Sequence, residues 1–534
     1  MPTNFKACDS YTSRITARLL EQRNATKRRS LRGARVLFVF LLLCFGGAIA
    51  SRAQVFSTLA VFEGTKTPLG GLPLDVLVEG VDGNLYGTTS IGGKCASSCG
   101  TIFKITPNGT LTTIYEFCGT DPCTREPLTG LALASDGNFY GTTYEGGLEG
   151  EGGCQGNVGC GTLFRVTPGG MLTVLHNFTF AEAFNTSTVS LLQGANGNLY
   201  GLSSTGGANN KGTVYQSTLK GAVTVLHTFC SEAYCADGNT PSALLQSGGG
   251  NLYGTTAAGA CGSSGCNGTV FSLTTSGKLT TLYDFCALSG CSDGREPEGL
   301  TQGYDGNFYG VTVAGGLGDS KCASFCGTIF KITPTGTLTT IYHFCSQSGC
   351  PENGANPVGN LVQATDGNFY GVTSTGISPG SYCTYHCGTV FKVTPQGKLT
   401  TLHVFCSEAK CADGFGPHGL VQGTDGNLYG MTNWGGACGQ SLPCLGTVFK
   451  VSVGLRPFVK MVPTRGTTAT QVIIFGTNLT GATSVTFNGT AAAFKIVSRT
   501  EIKATVPTGA TTGRIRVETP SGTLVSNVVF RVIP

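Results

Sequence analysis

The sequence predicts an all-β protein, a seven-bladed β-propeller closed by its N-terminal strand and followed by an immunoglobulin-like β-sandwich. Two observations carry this prediction. Two short phrases recur seven times between residues 54 and 453, and the 534 residues include 82 glycines with no long helix-favouring stretch after residue 53. Glycine weakens helices and supplies the positive φ angles that tight turns need, so this composition favours strands joined by turns.

The repeat is defined by two phrases in each copy. Gly-Asn-(Leu/Phe)-Tyr-Gly begins at Gly83, Gly137, Gly197, Gly250, Gly306, Gly367 and Gly426. Gly-Thr-(Ile/Leu/Val)-(Phe/Tyr) follows at Gly100, Gly161, Gly212, Gly268, Gly327, Gly388 and Gly446. The sixth copy contains four strand candidates: Gly359–Gln363, Asn368–Ser374, Gly388–Thr394 and Lys398–Phe405. Four strands per repeat is typical of a propeller blade, whereas the alternative, a β-helix, has shorter coils.

The two ends of the repeat region predict a closed ring. The last copy stops after Gly446–Ser452 and lacks a fourth strand, while Val55–Phe62 resembles the fourth strand of the sixth copy, Leu399–Phe405. We expect the N-terminal strand to complete the seventh blade, because ring closure removes two exposed sheet edges.

The first 53 residues have the features of a secretory signal with a long basic n-region. A basic stretch, Lys27–Arg32, precedes the apolar run Val36–Phe45 and two small-residue cleavage patterns that end at Ala50 and Ala53. The apolar run is shorter than the roughly 20 residues of a spanning helix. The sequence therefore predicts an exported protein (secreted, periplasmic or at the cell surface), with a membrane anchor only if the leader is not cleaved.

Net charge argues against nucleic acid as a partner. Ten of the 34 basic residues and two of the 29 acidic residues lie in residues 1–53, which leaves 24 basic and 27 acidic residues in the remainder. A mildly acidic body without basic clusters is poorly suited to binding phosphate backbones.

Twenty-two cysteines follow the leader, and they fall into eleven local pairs. Because copies that lack one partner lack both, and because export favours oxidation, the sequence predicts eleven loop disulfides. Six pairs lie between the second and third strands: Cys95 with Cys99, Cys154 with Cys160, Cys261 with Cys266, Cys322 with Cys326, Cys383 with Cys387, and Cys438 with Cys444. Five follow the fourth strand: Cys118 with Cys123, Cys230 with Cys235, Cys286 with Cys291, Cys345 with Cys350, and Cys406 with Cys411.

These pairs are interpreted as disulfides and not as zinc ligands, since tetrahedral zinc needs four converging ligands and no histidine or second pair joins any of these loops. No metal site and no cofactor are predicted.

In an antiparallel four-stranded blade, both kinds of cysteine loop emerge at the same end of the strands. We therefore expect all eleven pairs on one face of the propeller, and we expect that face to be the functional one.

The repeat phrases resemble the Gloeo/Verruco (GloVer) tandem-repeat family of secreted bacterial proteins over residues 55–452. The resemblance implies no established activity. Residues 457–534 resemble an IPT/TIG domain, an immunoglobulin-like fold, on the segments Val472–Gly476, Val485–Gly489, Gly513–Val517 and Val528–Phe530. That resemblance implies a spacer or surface-interaction role for residues 454–534.

Candidate site residues are few. His176, His227 and His403 occupy a repeat position that holds tyrosine in other copies, which favours a structural role. His343, His386 and His418 have no partners at matching positions. The lone Trp434 and its neighbour Asn433 lie in a cysteine loop and are the candidate ligand-binding residues, with burial of the tryptophan as the alternative.

No catalytic motif is present, so the sequence predicts a monomeric binding protein for extracellular carbohydrate or protein. A propeller-type polysaccharide hydrolase or lyase and a structural envelope protein are the alternatives.

Overall fold

The computed structural model of the chain describes residues 54–63, 69–93, 99–117, 126–147, 159–186, 191–259, 267–317, 326–345, 354–376, 387–437 and 444–533. The proposed leader, residues 1–53, lies outside the described residues. The described part contains seven blade sheets and one further sheet, which confirms the all-β seven-bladed propeller.

Each blade is an antiparallel sheet whose strands follow chain order from the centre outwards. The strands of blades 1 to 3 are β2 (Val78–Glu79), β3 (Leu85–Thr89), β4 (Thr101–Ile105) and β5 (Leu111–Glu116); β6 (Ala132–Leu133), β7 (Phe139–Thr142), β8 (Thr162–Val166) and β9 (Leu172–Asn177); and β10 (Phe184–Thr186), β11 (Leu192–Gln193), β12 (Leu199–Thr205), β13 (Thr213–Ser217) and β14 (Val223–Thr228). In blade 3, β10 and β11 both pair with β12 as the two parts of an interrupted first strand.

The strands of blades 4 to 7 are β15 (Asn239–Gln246), β16 (Leu252–Ala258), β17 (Thr269–Leu273) and β18 (Leu279–Asp284); β19 (Arg295–Gln302), β20 (Phe308–Ala314), β21 (Thr328–Ile332) and β22 (Leu338–His343); β23 (Ala355–Gln363), β24 (Phe369–Thr375), β25 (Thr389–Val393) and β26 (Leu399–Val404); and β27 (Phe415–Gln422), β28 (Leu428–Trp434), β29 (Thr447–Ser452) and β1 (Val55–Val61). Strand β23 begins four residues before its predicted start, because a register shift between Val358 and Val362 lets the strand continue through Pro357.

The N-terminal strand closes the ring as predicted. Strand β1 pairs antiparallel with β29 and is the outermost strand of blade 7. Immediately after β1, the backbone of Phe62 continues this pairing: Phe62 N–H donates to Gly446 O at 2.9 Å, and Leu445 N–H donates to Phe62 O at 3.0 Å. The Phe62 side chain is fully buried against the Phe103 ring of blade 1.

Adjacent blades are joined by a repeated contact, here named the blade seam. The glycine that opens the second phrase lies against a proline at the start of the next blade, and a Cβ at that glycine would lie within 2.7 Å of the proline Cδ. The six pairs are Gly100–Pro127, Gly212–Pro241, Gly268–Pro297, Gly327–Pro357, Gly388–Pro417 and Gly446–Pro73. Only glycine leaves this space and also adopts the positive φ found at these positions.

The tyrosines of the first phrase pack between blades, for example Tyr86 against Phe139 and Tyr309 against Phe369. Tyr86, Tyr140, Tyr309, Tyr370 and Tyr429 are at most 2% exposed. Each hydroxyl donates to the turn aspartate four residues earlier, at 2.7–2.9 Å. The turn aspartates therefore satisfy the hydroxyl groups of buried tyrosines.

The turns and loops define two faces. The loop face contains the connections between second and third strands and from each fourth strand to the next blade. The turn face contains the Asp-Gly turns and the turns between third and fourth strands. This placement follows from the antiparallel order of every blade.

Residues 459–532 form the C-terminal domain. Its strands are β30 (Val459–Val462), β31 (Arg465–Gly466), β32 (Gln471–Gly476), β33 (Ser484–Phe487), β34 (Thr490–Ala491), β35 (Phe494–Ile496), β36 (Glu501–Thr505), β37 (Gly513–Thr519) and β38 (Gly522–Val532). Hydrogen bonds connect them in the order β34-β33-β37-β38-β30-β32-β36-β35, with β31 on β38. Buried apolar side chains, among them Ile474, Phe487, Ile502 and Val517, form a separate core.

Replacing the buried residue that closes the ring tests the closure. We expect Phe62→Ala to lower the free energy of unfolding by about 3–5 kcal/mol, because a large buried ring between blades 7 and 1 is removed. Val55→Ala at the exposed start of β1 is the matched control and should cost within about 0.5 kcal/mol. Chemical denaturation measures both, and equal small losses would contradict a closed ring.

Candidate ligand channel

The first strands of the blades surround a central channel. A cavity of about 450 Å³ lies in it and is lined by residues of all seven blades. This volume falls within the roughly 300–1,000 Å³ of small-molecule sites. Leucine and valine side chains supply the apolar part of the wall, among them Val76, Leu131, Leu191 and Leu244.

The polar part of the wall comes from single residues of different blades. Asp75, Ser242, Glu298 and His418 line the cavity, and Asn360 joins them from blade 6. Asp75 accepts hydrogen bonds from the N–H groups of Val76 and, across the blade boundary, Gly130. The carboxylate of Asp75 is thus fixed by backbone donors of two blades.

The Glu298 carboxyl has an unusual protonation equilibrium. Burial raises its pKa to about 7; a hydrogen bond from the Gly359 N–H opposes this rise, and the negative charge of Asp75 adds to it. Two carboxyl groups in one cavity therefore differ in environment, and near neutral pH Glu298 exchanges readily between its charged and neutral forms.

His418 completes the polar lining. Burial lowers the pKa of its imidazole, so the ring is neutral at pH 7. Among the described residues, none forms a hydrogen bond with this ring. A neutral imidazole without a protein partner in a cavity wall is available to a ligand as donor or acceptor.

A ring of side chains surrounds the channel at the turn face, four residues after the polar wall positions. Gln193, Gln246, Gln302, Gln363 and Gln422 each accept a hydrogen bond from a backbone N–H of the preceding blade, at 2.7–3.4 Å. Four of these glutamines also donate to a turn glycine carbonyl of their own blade. This glutamine ring links neighbouring turns around the channel.

Blade 1 places a glutamate, Glu79, at the equivalent position. It accepts hydrogen bonds from the N–H and the hydroxyl of Thr424 in blade 7, at 3.0 and 2.5 Å. The ammonium of Lys460, which belongs to the C-terminal domain, lies 2.8 Å from the same carboxylate. The side chain of Glu79 is only 5% exposed, so the ion pair is largely removed from water.

Further contacts hold the C-terminal domain on the turn face. Arg465 donates to the Ser247 carbonyl of blade 4 at 3.1 Å, and the guanidinium of Arg514 lies 4.9 Å from the ring centre of Tyr304 in blade 5. A second cavity of about 400 Å³ is lined by channel residues of blades 1, 2, 3 and 7 and by Lys460, Met461, Phe475 and Val528. The C-terminal domain thus covers the turn end of the channel.

Disulfides close loops at the opposite, loop face. Three of the predicted pairs are bonded as predicted: Cys230 with Cys235, Cys286 with Cys291, and Cys406 with Cys411. Six further cysteines are disulfide-bonded: Cys99, Cys160, Cys326, Cys345, Cys387 and Cys444. These bonds agree with the prediction that the cysteines are oxidised.

The remaining predicted cysteines lie outside the described residues, so their pairings are not confirmed. The predicted partners of the six bonded cysteines are Cys95, Cys154, Cys322, Cys350, Cys383 and Cys438. Two predicted disulfides fall wholly outside the described ranges, namely those of Cys118 with Cys123 and of Cys261 with Cys266. All eight of these pairings stay predictions.

The loops closed by the three described disulfides share one internal cap. In the loop after blade 6, the fully buried Asp413 accepts from the Ser407 N–H and hydroxyl and from Nε2 of His403, at 3.1, 2.9 and 3.0 Å. Burial tends to raise the pKa of Asp413, but the hydrogen bonds from His403 and Ser407 outweigh it and lower that pKa. His227 bonds to Asp237, and Tyr283 to Asp293, in the same way.

The predicted structural role of the outer-strand histidines agrees with these contacts. His176 likewise lies 3.0 Å from Glu182 in a copy that has no disulfide in this loop. The aromatic position of the fourth strand thus orients the carboxylate that caps the following loop. Of the scattered histidines, His343 accepts a hydrogen bond from the Leu317 N–H at 3.3 Å, and His386 lies outside the described residues.

The predicted ligand residues Trp434 and Asn433 lie at the loop-face end of β28. Trp434 is 41% exposed, so burial of this side chain, the alternative, is wrong. The Oδ1 atom of Asn433 is buried without a hydrogen-bond partner among the described residues. Neither residue is among the described residues that line the channel cavity, and their role in binding stays a prediction.

The sequence profile described as the Gloeobacter/Verrucomicrobia repeat matches residues 151–382 and 324–506. The chain belongs to the Gloeobacter/Verrucomicrobia repeat family. In the described copies of this repeat, the first phrase supplies the buried tyrosine and its turn, and the second supplies the glycine of the blade seam.

No curated protein matches this repeat protein. Among solved structures it is similar to PorZ of Porphyromonas gingivalis, a surface component of the type-IX secretion system, with 13% identity, a TM-score of 0.45, and coverage of 89% of this chain and 61% of PorZ. It is also similar to a protein of unknown function from Dyadobacter fermentans (11% identity, TM-score 0.39, 74% and 99% covered). A third similar structure is aldose sugar dehydrogenase of Streptomyces coelicolor (11% identity, TM-score 0.34, 75% and 99% covered).

Two features are absent from the described residues. No group of three or more His, Cys, Asp or Glu side chains in that part of the repeat protein is arranged to hold a metal ion. In the same ranges, no helix has both the length and the apolar character needed to cross a membrane.

The channel residues Asp75, Glu298 and His418 were missed by the motif analysis of the sequence. A signal exists: each lies four residues before the glutamine-ring position of its blade, and Thr129 and Ser242 occupy the same place in blades 2 and 4. A polar residue whose type differs from copy to copy, at a fixed place in an apolar strand, is the pattern of a site assembled from several blades.

Replacing the one acidic member of the ring tests how the C-terminal domain is held. We expect Glu79→Gln to lower the free energy of unfolding by about 2 kcal/mol, because it leaves the partly buried Lys460 ammonium without its counter-charge. Lys503→Met, which removes a half-exposed lysine from the domain surface, should cost within about 0.5 kcal/mol. Denaturation of Glu79→Gln, of Lys460→Met and of the double variant Glu79→Gln/Lys460→Met measures the coupling, and a Glu79→Gln effect no larger than that of Lys503→Met would refute it.

Proposed function

We propose that this repeat protein is an exported binding protein that takes carbohydrate or protein at the loop face and the loop end of its channel. One observation carries the proposal: the turn end of the channel is covered by the C-terminal domain through Lys460, Arg465 and Arg514. A ligand therefore reaches the polar wall of the channel from the loop face.

The rigidity of the loops on the loop face supports this role. Disulfides and buried caps such as Asp413 fix the loops on a closed, rigid ring of strands. Rigid loops lose less conformational entropy on binding than mobile ones do, so such a surface favours affinity. We include Trp434 and Asn433 in the proposed binding surface, since an exposed indole ring can stack on a sugar face.

Export is part of the proposal. We propose that residues 1–53 are a cleaved secretory signal, and the disulfide-bonded cysteines support an oxidising destination. The mature protein, residues 54–534, acts as a monomer that is secreted, periplasmic or at the cell surface.

We further propose that residues 454–534 are an immunoglobulin-like sandwich of the IPT/TIG type. The order of its strands, with β30 paired to both β32 and β38, supports two layers that share an edge strand. In this protein the domain covers one end of the channel in addition to acting as a spacer.

A polysaccharide hydrolase or lyase is the second candidate, and the Glu298–Asp75 pair favours it over a structural envelope role. A carboxyl group whose pKa is raised to about 7 in the same cavity as a second carboxylate is an arrangement that glycosidases use. Release of reducing sugar from a bound polysaccharide, abolished by Glu298→Gln, would favour the enzyme; binding without release favours the proposed binding protein.

Binding of the mature protein to an array of polysaccharides and surface proteins, before and after reduction, tests the proposal. We expect at least one specific ligand, and at least a tenfold loss of its affinity on reduction, because reduction frees the disulfide-closed loops. Far-UV circular dichroism is the control that the blades stay folded. Binding that survives reduction unchanged, or no binding to any member of the array, would contradict a ligand site at the loop face.

A further inference from the structure

We propose that the channel cavity is a binding site for a small ligand that carries a primary ammonium group, held between Glu298 and Asp75 with His418 as a further partner. The inference rests on the proposed binding function and specifies its ligand. It stands on the composition of the cavity wall, on the fixed position of one carboxylate, and on an imidazole without a protein partner among the described residues.

The cavity wall has a strong asymmetry of charge. Its described lining includes two carboxyl side chains and no lysine or arginine. Lys460, the cation at the turn end, is engaged by Glu79 at 2.8 Å and lines the second cavity instead. A buried carboxylate is stable only when a cation or hydrogen-bond donors neutralise it, so this wall selects a ligand that brings positive charge.

The carboxyl groups are positioned by the backbone, which prepares them for a ligand. Asp75 is fixed by the N–H groups of Val76 and Gly130, and Glu298 by the N–H of Gly359. A carboxylate has about four acceptor positions, and the Gly359 N–H occupies one of those of Glu298, so Glu298 keeps capacity for further donors. Three ammonium hydrogens match an arrangement of two carboxylates and one neutral imidazole nitrogen.

The apolar residues of the wall fit a ligand that carries apolar surface beside its ammonium group. Leu131, Leu191 and Leu244 line the cavity from blades 2 to 4, and Glu298, Asn360 and His418 line it from blades 5 to 7. A glucosamine unit meets this description, with an amine, hydroxyl groups and apolar ring faces. A lysine side chain offers the same ammonium group on an apolar stem.

Isothermal titration calorimetry of the full mature protein tests the proposal with a matched pair of probes. The β-1,4 disaccharide of glucosamine carries two free amines, and its di-N-acetyl counterpart carries none. We expect the amine form to bind at least tenfold more tightly. An α-amino-blocked lysine amide distinguishes a lysine source from an amino-sugar source, and calcium chloride alone tests for a cation site.

Binding of the lysine amide, whose ammonium stays charged between pH 6 and pH 8, should strengthen about tenfold over that range and release protons. The reason is that Glu298 must ionise to pair with the ammonium, and its pKa of about 7 leaves it mostly protonated at pH 6. The other titratable groups of the described wall are Asp75, whose carboxylate accepts two backbone hydrogen bonds, and His418, whose lowered pKa keeps the imidazole neutral near pH 7. A neutral ligand would show no such dependence.

Variants on one strand separate charge from fold. Glu298→Gln keeps the shape of the side chain, and we expect it to weaken binding of the amine disaccharide at least tenfold and to abolish the pH dependence. Glu296→Gln, two residues earlier and partly exposed beside Arg295, is the matched control and should bind within twofold of the unchanged protein.

The outcomes distinguish this proposal from the broader one. Three results would overturn the ammonium site: equal binding of the two disaccharides, calcium binding that Glu298→Gln abolishes, or full affinity of Glu298→Gln for the amine disaccharide. The broader binding function would still stand if a ligand from the array required the disulfides. Tight binding of the amine disaccharide that depends on Glu298 supports the site even if no polysaccharide or surface protein of the array binds.

Discussion

At six of the seven blade boundaries, a glycine of one blade leaves room for a proline ring of the next. At Gly446 and Pro73 this contact joins the last blade to the first, beside the strand β1 that completes blade 7. Because any side chain at the glycine would collide with the proline, the seam fixes the distance between neighbouring blades. The width of the channel, and so the volume of the cavity among Asp75, Glu298 and His418, depends on that repeated distance.

A closed ring of similar blades offers seven nearly equivalent ways to place a further domain. Glu79 removes this ambiguity, because it is the acidic member of an otherwise uncharged glutamine ring and because Lys460 pairs with it. Together with the contacts of Arg465 and Arg514, this ion pair holds the C-terminal domain over the turn end of the channel. Buried polar groups are a known means of specifying one arrangement among several, at some cost in stability.

Much of the fold could be predicted from the sequence because the repeat is local. Within one copy, turn glycines, alternating apolar residues and the paired cysteines determine four strands and their loops, and the seven copies make a ring the natural closure. The polar channel residues are harder to find, since Asp75, Glu298 and His418 differ in type from copy to copy and are brought together only by ring closure; their one local signal is a fixed place four residues before the glutamine-ring position. Likewise, nothing in the segment around Lys460 indicates that it meets Glu79, some 380 residues earlier in the chain. The exposure of Trp434 depended on loop geometry that composition does not determine.

A crystal structure of the mature protein with the glucosamine disaccharide tests the central claim most directly. The account predicts ligand density in the channel with an amine nitrogen within hydrogen-bonding distance of Glu298 and Asp75, and a turn end still covered by Lys460 and its neighbours. Ligand density at the turn face, or only against Trp434 with an empty channel, would contradict it.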